Sequence, residues 1–410
     1  MSRKLGPSFI LLFFVILIAG CSKTVTEPNN GAPARGVLSG VILDGASGDP
    51  LPGATITSEG RTAITNSSGT FEIDSLLTGK DAITISKLGY DGITDTVIII
   101  TDHLTQYTGS IFPSSQGLIG SWEQVTSGTL ENLSSACYAT KTTIYACGFD
   151  GTLLRSSDAG QSWSLIPTPT QENLYCVHFS DANKGVIMGN NGAIYTTADA
   201  GKTWSASPDG NGYAFRNVSF VDALHGYAVG GVSSFSCAIV KTTDGGATWS
   251  DESSNLLAGP LYGVHFTSST TGFVGTYDGY VFKTTDGGTT WNKVYASNAW
   301  VRSIFFTAPS LGTFVGTVGT IQHTNDGGLT WSEQGQIRNI SLNSVAYSDF
   351  KHGLTAGESG SIYLTRDGGA NWLDQTVTGL NLSLLGVALA DSTHGVIVGE
   401  NGTILKPIIK

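Results

Sequence analysis

The stretch Lys283-Thr284-Thr285-Asp286-Gly287-Gly288-Thr289-Thr290-Trp291 decides the fold, because five close copies of it occur between residue 150 and the end of the chain. In each copy a Trp follows the Asp by five residues, and these tryptophans are Trp163, Trp204, Trp249, Trp291, Trp331 and Trp372. They are separated by 41, 45, 42, 40 and 41 residues, and Trp122 lies 41 residues before the first. A period of about 40–45 residues is typical of the four-stranded blades of a β-propeller.

The incomplete repeats at the two ends set the number of blades. Trp122 begins a strand without an Asp-Gly-Gly phrase before it, and residues 384–406 supply three strands and stop before that phrase. The two parts complete each other, so the strand at Trp122 is predicted to close the last blade and leave no open sheet edge. We therefore predict an all-β protein in which residues 118–410 form a seven-bladed β-propeller closed by an N-terminal strand.

Residues 36–113 lack the repeated phrase and are predicted to be a separate small β-sandwich. Short strand-like segments alternate there with turns such as Asn66-Ser67-Ser68-Gly69. The segment resembles the carboxypeptidase regulatory-like domain, which has a transthyretin-like fold. The motifs that carry this resemblance are Gly40-Val41, Pro50-Leu51-Pro52-Gly53-Ala54, Ser68-Gly69-Thr70-Phe71 and Gly89-Tyr90. The resemblance implies a spacer or adhesive module without chemistry of its own.

Residues 1–21 are interpreted as a targeting segment. Arg3 and Lys4 precede an apolar run over residues 9–18, which is short for a transmembrane helix. The end of the run, Ile18-Ala19-Gly20-Cys21, resembles a bacterial lipobox, and this implies lipidation of Cys21 at the start of the mature protein. An ordinary signal peptide or an uncleaved anchor is the alternative. Residues 22–35, rich in Pro, Asn, Gly and Ala, are then predicted to be a flexible linker.

The charge of the chain limits its partners. It has 21 Lys and Arg against 32 Asp and Glu, a formal net charge of −11. Such an acidic protein is a poor partner for nucleic acid and for a polybasic attachment to anionic lipid, so the lipid on Cys21 must hold it at the membrane. The residue beside that cysteine is Ser22 and not Asp, which resembles the signal that sorts enterobacterial lipoproteins to the outer membrane. We expect an exported monomer anchored in the outer membrane, with its orientation left open.

The repeated phrase is similar to the Asp-box of sialidases, sortilin-type receptors and photosystem II assembly-factor propellers. Its Asp can accept backbone N–H groups across the turn, while its Gly residues adopt backbone angles that side chains disfavour. Six near-identical copies cannot all be active sites. A structural role, neither catalytic nor metal-binding, is therefore assigned to Asp158, Asp199, Asp244, Asp286, Asp326 and Asp367. No metal or cofactor site is predicted.

One variable position in the repeat is where an individual function is expected. It lies two residues before an apolar residue of the inner strand and is occupied by Ser134, Tyr175, Arg216, Tyr262, Arg302, Asn343 and Leu385 in blades one to seven. Arg and aromatic residues are enriched in binding hot spots. The candidate binding rim at the channel mouth is therefore Arg216, Arg302, Tyr175, Tyr262 and Asn343, with the preceding Tyr213 and Trp300. A generic solvent-facing rim is the alternative.

Four cysteines remain after Cys21. Cys137 and Cys147 flank a short turn and are a candidate disulfide, which an exported location permits. Cys176 and Cys237 are then free thiols, although four cysteines allow three pairings.

At full length the sequence resembles exported bacterial Asp-box lipoproteins related to the photosystem II stability and assembly factor. That resemblance implies a non-enzymatic scaffold that holds a protein partner on the channel-mouth face, with Arg216 and Arg302 at the positions of an Arg-rich patch. A carbohydrate-binding protein and a sialidase-like or glycosidase-like hydrolase are the alternatives. A glycosidase needs two carboxylates about 5–10 Å apart, whereas the hairpin residues Asp278, Glu358 and Glu400 lie on different blades.

Overall fold

The computed structural model describes residues 33–44, 49–87, 90, 92–111, 121–207, 211–233, 236–256, 258–334 and 339–408. Its contacts divide the chain after residue 114 into two compact units. The predicted leader, including Cys21, and residues 22–32 of the predicted linker lie outside the described residues. Within the described ranges, no helix has the length and apolar character needed to cross a bilayer.

The N-terminal unit is a β-sandwich of two sheets, as predicted. Its strands are β1 (Arg35–Asp44), β2 (Thr55–Ser58), β3 (Arg61–Ile64), β4 (Thr70–Leu77), β5 (Gly79–Ser86), β6 (Ile93–Ile99) and β7 (Leu104–Ile111). The sheet orders are β4-β1-β7 and β3-β2-β5-β6, and β1 is parallel to β7. Alternate residues of the strands face inward, so Leu38 and Ile42 of β1 are buried with Ile56, Ile83 and Ile85 in one core.

The second unit contains seven four-stranded antiparallel sheets, the blades of the propeller. Blade 1 consists of β9 (Leu133–Tyr138), β10 (Ile144–Gly148), β11 (Leu153–Ser156) and β12 (Ser164–Leu165). Blade 2 consists of β13 (Leu174–Phe179), β14 (Gly185–Gly189), β15 (Ile194–Thr197) and β16 (Ser205–Ala206). Blade 3 consists of β17 (Ala214–Phe220), β18 (Gly226–Ser233), β19 (Ser236–Thr242) and β20 (Ser250–Asp251).

Blades 4 to 6 repeat the same order of strands. Blade 4 consists of β21 (Leu261–Phe266), β22 (Gly272–Thr276), β23 (Tyr280–Thr284) and β24 (Asn292–Ala296). Blade 5 consists of β25 (Val301–Ala308), β26 (Leu311–Gly316), β27 (Ile321–Thr324) and β28 (Ser332–Glu333). Blade 6 consists of β29 (Leu342–Tyr347), β30 (Gly353–Gly357), β31 (Ile362–Thr365) and β32 (Leu373–Asp374). Single 3₁₀ turns occur at Asn190–Gly192, Ser253–Asn255, Thr317–Gly319, Glu358–Gly360 and Glu400–Gly402.

Blade 7 joins the two ends of the propeller. It consists of β33 (Leu384–Leu389), β34 (Gly395–Gly399), β35 (Ile404–Pro407) and β8 (Trp122–Val125). The register of β8 against β35 pairs Trp122 with Pro407 and Val125 with Ile404. The N-terminal strand therefore closes the last blade, which confirms the predicted seven-bladed propeller.

Aromatic contacts connect neighbouring blades. Phe266, at the end of the inner strand of blade 4, stacks on Tyr227 of blade 3 with ring centroids 3.5 Å apart. It receives the edge of Trp291, the Trp of its own repeat, at 6.1 Å. The next pair of blades repeats both contacts. In five of the six repeats the Trp packs in this way against the aromatic residue at the end of the inner strand.

The Asp-box is a turn held by its carboxylate. In blade 4, Oδ1 of Asp286 accepts the N–H of Thr290 at 2.9 Å and the hydroxyl of Thr284 at 2.8 Å, while Oδ2 accepts the Thr290 hydroxyl at 2.6 Å. The other five boxes repeat this pattern. Gly287 and Gly288 have φ of 72° and 92°, in the region that favours glycine.

The structure does not form the suggested Cys137–Cys147 disulfide. The register of β9 on β10 places Cys137 opposite Tyr145 and Cys147 opposite Ser135, so the two cysteines are offset by two residues. Cys137, Cys147, Cys176 and Cys237 are all free thiols. Because the last three are buried, they behave as small apolar core residues.

Candidate functional site

A β-bulge interrupts the inner strand of every blade at the same position. In blade 2, Leu174 pairs with Gly189 and Cys176 with Met188, which leaves Tyr175 without a partner residue in the ladder. The seven residues so placed, here called the bulge ring, are Ser134, Tyr175, Arg216, Tyr262, Arg302, Asn343 and Leu385. A bulge re-aims a side chain and is over-represented beside functional sites. The bulge ring coincides with the variable position identified in the sequence.

The bulge ring lines a cavity of about 520 Å³ among the inner strands of the propeller. The residue two positions further along each inner strand also lines this cavity. These seven residues, here called the aliphatic ring, are Ala136, Val177, Val218, Val264, Ile304, Val345 and Val387. Beyond the bulge ring, every blade thus contributes one aliphatic residue to the wall, together with polar neighbours such as Asn217, Ser303 and Ser344.

Arg216 lies between two tyrosines of the bulge ring. Its guanidinium carbon is 4.1 Å from the ring centroid of Tyr175 and 5.9 Å from that of Tyr262, within the range of a cation–π interaction. Phe149 packs edge-on against Tyr175, with the ring centroids 6.0 Å apart. These rings restrict the guanidinium without neutralising it, because Arg216 forms no salt bridge with any residue that the structure describes.

Arg302 is held by hydrogen bonding and by a second aromatic group. It donates a hydrogen bond to Oδ1 of Asn343, whose Nδ2 donates to the carbonyl oxygen of Leu384 at 2.8 Å. Its guanidinium carbon lies 5.5 Å from the ring of Trp300, which in turn lies 4.0 Å from the ring of Tyr277. Its Nε is buried and has no hydrogen-bond partner among the described residues. The guanidinium is thus oriented by Asn343 and Trp300.

Tyr213 is not brought into the cavity, although it precedes Arg216 by three residues. Its hydroxyl donates to Oδ2 of Asp251 at 2.6 Å, on the outer strand of the same blade. The phenol therefore braces blade 3 and does not line the cavity. Trp300 does not line the cavity wall either, but it supports Arg302.

The sequence reasoning missed Phe149 and Tyr277. Both stand at the first position of the hairpin between the second and third strands of their blades, where blades 2 and 5 have Asn190 and Thr317. Tyr277 packs on Tyr262 with ring centroids 6.3 Å apart and extends the aromatic group toward Trp300. An aromatic residue at a turn position that is otherwise polar was the available signal.

The cavity is cationic inside an acidic protein. Its wall contains Arg216 and Arg302 and, among the described residues, no Asp or Glu. His178 and His265 also line it, but burial lowers the pKa of each to about 4, so both are neutral near pH 7. In the described part of the chain, His, Cys, Asp and Glu side chains form no group of three suited to a metal ion.

The hairpin acids on this face are engaged by the backbone. Glu358 accepts the N–H of Ser341 at 3.3 Å, and Glu400 accepts the N–H of Ser383 at 2.9 Å. Each carboxylate therefore fixes the start of the inner strand of its own blade. Neither residue lines the cavity.

Two family models match the chain. Residues 37–107 match the carboxypeptidase regulatory-like domain, and residues 104–194 match the photosynthesis system II assembly factor YCF48. No curated protein sequence matches the chain.

Solved structures share the propeller fold. One described as YCF48 bound to D1 peptide is 19% identical, with a TM-score of 0.60 over 71% of this chain and 98% of that chain. YCF48 from Cyanidioschyzon merolae is 19% identical, with a TM-score of 0.58 over 70% and 98%. A GH74 xyloglucanase from Xanthomonas campestris is 14% identical, with a TM-score of 0.52 over 69% and 53%. At these identities the likeness concerns the fold alone. The chain thus joins a carboxypeptidase regulatory-like domain to a seven-bladed β-propeller that is similar to YCF48.

Proposed function

We propose that this protein is a non-enzymatic binding scaffold that holds a protein partner at the bulge ring. The observation that carries the proposal is the repeated bulge, which places Arg216, Arg302 and their aromatic neighbours around one cavity. The backbone feature is the same in seven blades, while the residue at that position is of five different types. A regular scaffold with an irregular set of side chains at one position is what a specific binding site requires.

The arrangement of the side chains suits protein binding. Arg and aromatic residues supply most of the energy in protein interfaces, and side chains held before binding lose less conformational entropy on association. Tyr175 and Tyr262 restrict Arg216, and Asn343 orients Arg302. The match of residues 104–194 to an assembly-factor model supports a partner that is itself a protein.

A lipid on Cys21 is proposed to anchor this scaffold in the outer membrane. The support is the lipobox-like Ile18-Ala19-Gly20-Cys21 at the end of an apolar run. Expression of the full chain with Cys21→Ser tests the anchor through radiolabelled palmitate incorporation and membrane fractionation. Loss of label and release from the membrane fraction are expected. Equal label in the variant would contradict this part of the proposal.

Carbohydrate binding is the second candidate, because a GH74 xyloglucanase shares the propeller fold. Hydrolysis by the usual mechanism requires a pair of carboxylates. The cavity wall offers none among the described residues, so a sugar in this cavity would be bound without that pair.

The decisive experiment is a pull-down from outer-membrane and periplasmic extracts with residues 23–410. Wild type is compared with the double variant Arg216→Gln, Arg302→Gln and with the charge-matched control Lys184→Gln, Lys202→Gln, whose lysines are exposed on other parts of blade 2. We expect a protein that wild type and control capture and the arginine variant loses. Capture by all three would reject the bulge ring as the site. If the wild type captures no protein but binds added xyloglucan, the proposed ligand would be a carbohydrate.

A further inference from the structure

One end of the N-terminal sandwich carries a group of exposed apolar side chains. Leu77, Ile98, Ile100 and Leu104 are 41%, 66%, 51% and 55% exposed. A single exposed apolar residue is normal in a folded protein, whereas several at one place mark an interaction surface. These four residues are here called the apolar end.

Strand pairing brings the four residues to one end of the sandwich. Leu77 pairs with Arg35, the first residue of β1. Leu104 pairs with Val37 on the other side of the same strand. The turn that follows β6 donates the N–H of Asp102 to the carbonyl oxygen of Arg35 at 3.1 Å, which places the last residues of β6 there as well. The apolar end is therefore the end at which the chain enters the sandwich.

Both sheets of the sandwich contribute to the apolar end. Leu77 and Leu104 belong to the sheet β4-β1-β7, whereas Ile98 lies in β6 of the other sheet and Ile100 directly follows that strand. A rigid partner packed on one sheet would leave the residues of the other sheet exposed. A fluid layer reaches all sides of the end of a sandwich, so the arrangement favours a lipid surface over a protein face.

Charge does not supply the attraction. The basic residues Arg35 and Lys80 lie at this end together with the acidic residues Glu59 and Asp102, and Glu59 is held there by the N–H of Leu77 at 3.0 Å. The surface thus lacks the basic excess that attachment to anionic lipid requires. Contact with a bilayer must come from the apolar side chains, and neutral lipid should suffice.

The distance to the proposed lipid anchor decides what covers this surface. Thirteen residues separate Cys21 from Arg35, and such a chain reaches at most about 45 Å even when fully extended. A lipid on Cys21 therefore keeps the apolar end close to the bilayer. Residues 22–34 offer little apolar surface of their own, because Val25 is their only large aliphatic or aromatic residue.

The chain leaves the sandwich at the opposite end. Strands β1 and β7 are parallel over eight residue pairs, from Val37 with Leu104 to Asp44 with Ile111. At about 3.3 Å per residue this pairing spans roughly 26 Å. A sandwich that touches the bilayer with its apolar end therefore releases the following chain on the side away from the membrane.

We propose that the apolar end rests on a phospholipid bilayer, with its four side chains at the level of the headgroups. This inference rests on the proposed lipid on Cys21, which brings the sandwich to the membrane, and it adds a second, non-covalent contact. The N-terminal unit then stands upright on the bilayer and acts as a spacer of fixed direction.

The test reads the surroundings of one residue at a time. Ile98→Cys, Ile100→Cys and Leu104→Cys are each labelled with an environment-sensitive fluorophore. The matched control is Ile64→Cys, because Ile64 is 67% exposed and pairs with Thr55 at the far end of the sheet that contains Ile98. Protein without an added cysteine gives the labelling background.

Two samples are measured on phosphatidylcholine vesicles. One is the full chain with its lipid. The other is the 23–410 protein with an amino-terminal hexahistidine, held by a small fraction of nickel-chelating lipid. The second sample supplies a tether that does not depend on Cys21.

Labels at positions 98, 100 and 104 should be quenched by brominated lipid. Aqueous iodide should quench them about threefold less on vesicles than in solution, because interfacial apolar groups lie about 5–10 Å below the surface. The label at position 64 should respond to iodide equally in both states. Ile100→Ser with Leu104→Ser should return the label at position 98 to its solution value, whereas Ile64→Ser should not.

Equal iodide quenching of all four labels on vesicles would overturn the inference, as would shielding that requires anionic lipid. Shielding of the three labels without vesicles would assign the apolar end to a second copy of the chain.

Palmitate incorporation separates this inference from the lipid anchor. Shielding on the nickel-tethered vesicles, with no palmitate on the full chain, would leave the apolar end as a membrane contact and end the anchor proposal. Palmitate on Cys21 without shielding of the labels would leave the anchor and end the inference.

Discussion

The guanidinium carbon of Arg216 lies 4.1 Å from the ring centroid of Tyr175, and Tyr262 lies on its other side at 5.9 Å. Arg216 belongs to blade 3, while Tyr175 and Tyr262 belong to blades 2 and 4 on either side of it. The orientation of Arg216 therefore depends on three blades being in register. This arrangement of side chains is a property of the closed propeller and not of one hairpin.

Removing one of these rings should weaken binding without unfolding the protein. For Tyr175→Ala we expect the affinity for the captured partner to fall about 2- to 30-fold, since a cation–π contact contributes about 0.5–2 kcal/mol. The matched variant Tyr175→Phe keeps the ring and is expected to bind within about twofold of wild type. Biolayer interferometry with the captured partner measures both. Equal losses in the two variants would point to the hydroxyl and not to the stacked ring.

The closing strand can be tested through Trp122. This residue is 9% exposed and packs in one core cluster with Leu384 and Leu405 of blade 7. Trp122→Ala should lower the free energy of unfolding by about 3 kcal/mol, as large-to-small changes in cores do. The control is Leu130→Ala, because Leu130 is 83% exposed and should change stability little. Urea denaturation followed by fluorescence gives both values, and deletion of residues 120–127 should prevent cooperative folding. If all variants unfolded like the wild type, the strand at Trp122 would not stabilise the propeller by closing it.

The Asp-boxes should make the propeller sensitive to strong acid. Hydrogen bonds, chiefly from the residue four positions later, lower the pKa of Asp158, Asp199, Asp286 and Asp326 to about 2. Because these values lie below the usual 3.8, the stabilisation is complete above pH 3.8 and is lost as the pH falls toward 2. Melting temperature measured between pH 5 and pH 2 should therefore fall steeply over that window. Asp286→Asn removes one titrating group, and its curve should be less steep. If the pH dependence of the melting temperature were unchanged in Asp286→Asn, the Asp-boxes would not be the cause of the acid sensitivity.

The two cavity histidines predict a second, separate pH range in which the stability of the fold changes. Burial lowers the pKa of His178 and His265 from 6.5 to about 4, so the unfolded chain binds protons more readily than the folded one. Their contribution to stability is complete above pH 6.5 and is lost as the pH falls toward 4. His178→Gln with His265→Gln should flatten the change in melting temperature between pH 7 and pH 4.5. The control His103→Gln, at an exposed histidine of the N-terminal unit, should not. Equal flattening in the control would contradict the assignment.

The repeat made the fold predictable from sequence, and it also pointed to the position of the candidate site. Six similar Asp-box phrases fixed the blade period, and alignment of the repeats exposed the one position where Arg216, Tyr262 and Asn343 replace one another. The alignment could not show that this position is a β-bulge, because a bulge is a property of the pairing of two strands. Tyr213 was misplaced for a related reason. It precedes β17, and its bond to Asp251 depends on how the outer strand of blade 3 returns.

The cysteine pairing failed on register. Equal spacing from Cys137 to Cys147 would centre the turn on residue 142, whereas β9 and β10 pair Tyr138 with Ile144 and so centre it one residue earlier. A shift of one residue at the turn moves the partner of Cys137 by two, from Cys147 to Tyr145. Sequence alone does not count the residues in a short turn with that accuracy.

The thiols themselves give the last prediction. Burial raises the pKa of Cys137 to about 11 and of Cys176 to about 12, and it also raises those of Cys147 and Cys237. Thiols react as thiolates, so a thiol reagent at pH 8 should modify all four within minutes only in guanidinium chloride and much more slowly in the folded protein. The protein from residue 36 onward, purified without reductant, is the sample, because it lacks Cys21. Mass spectrometry after alkylation should find four modified cysteines, and Cys237→Ser should give three. A mass two units lower with Cys137 and Cys147 both unmodified would show that these two form a disulfide and that the register of blade 1 differs from the one described.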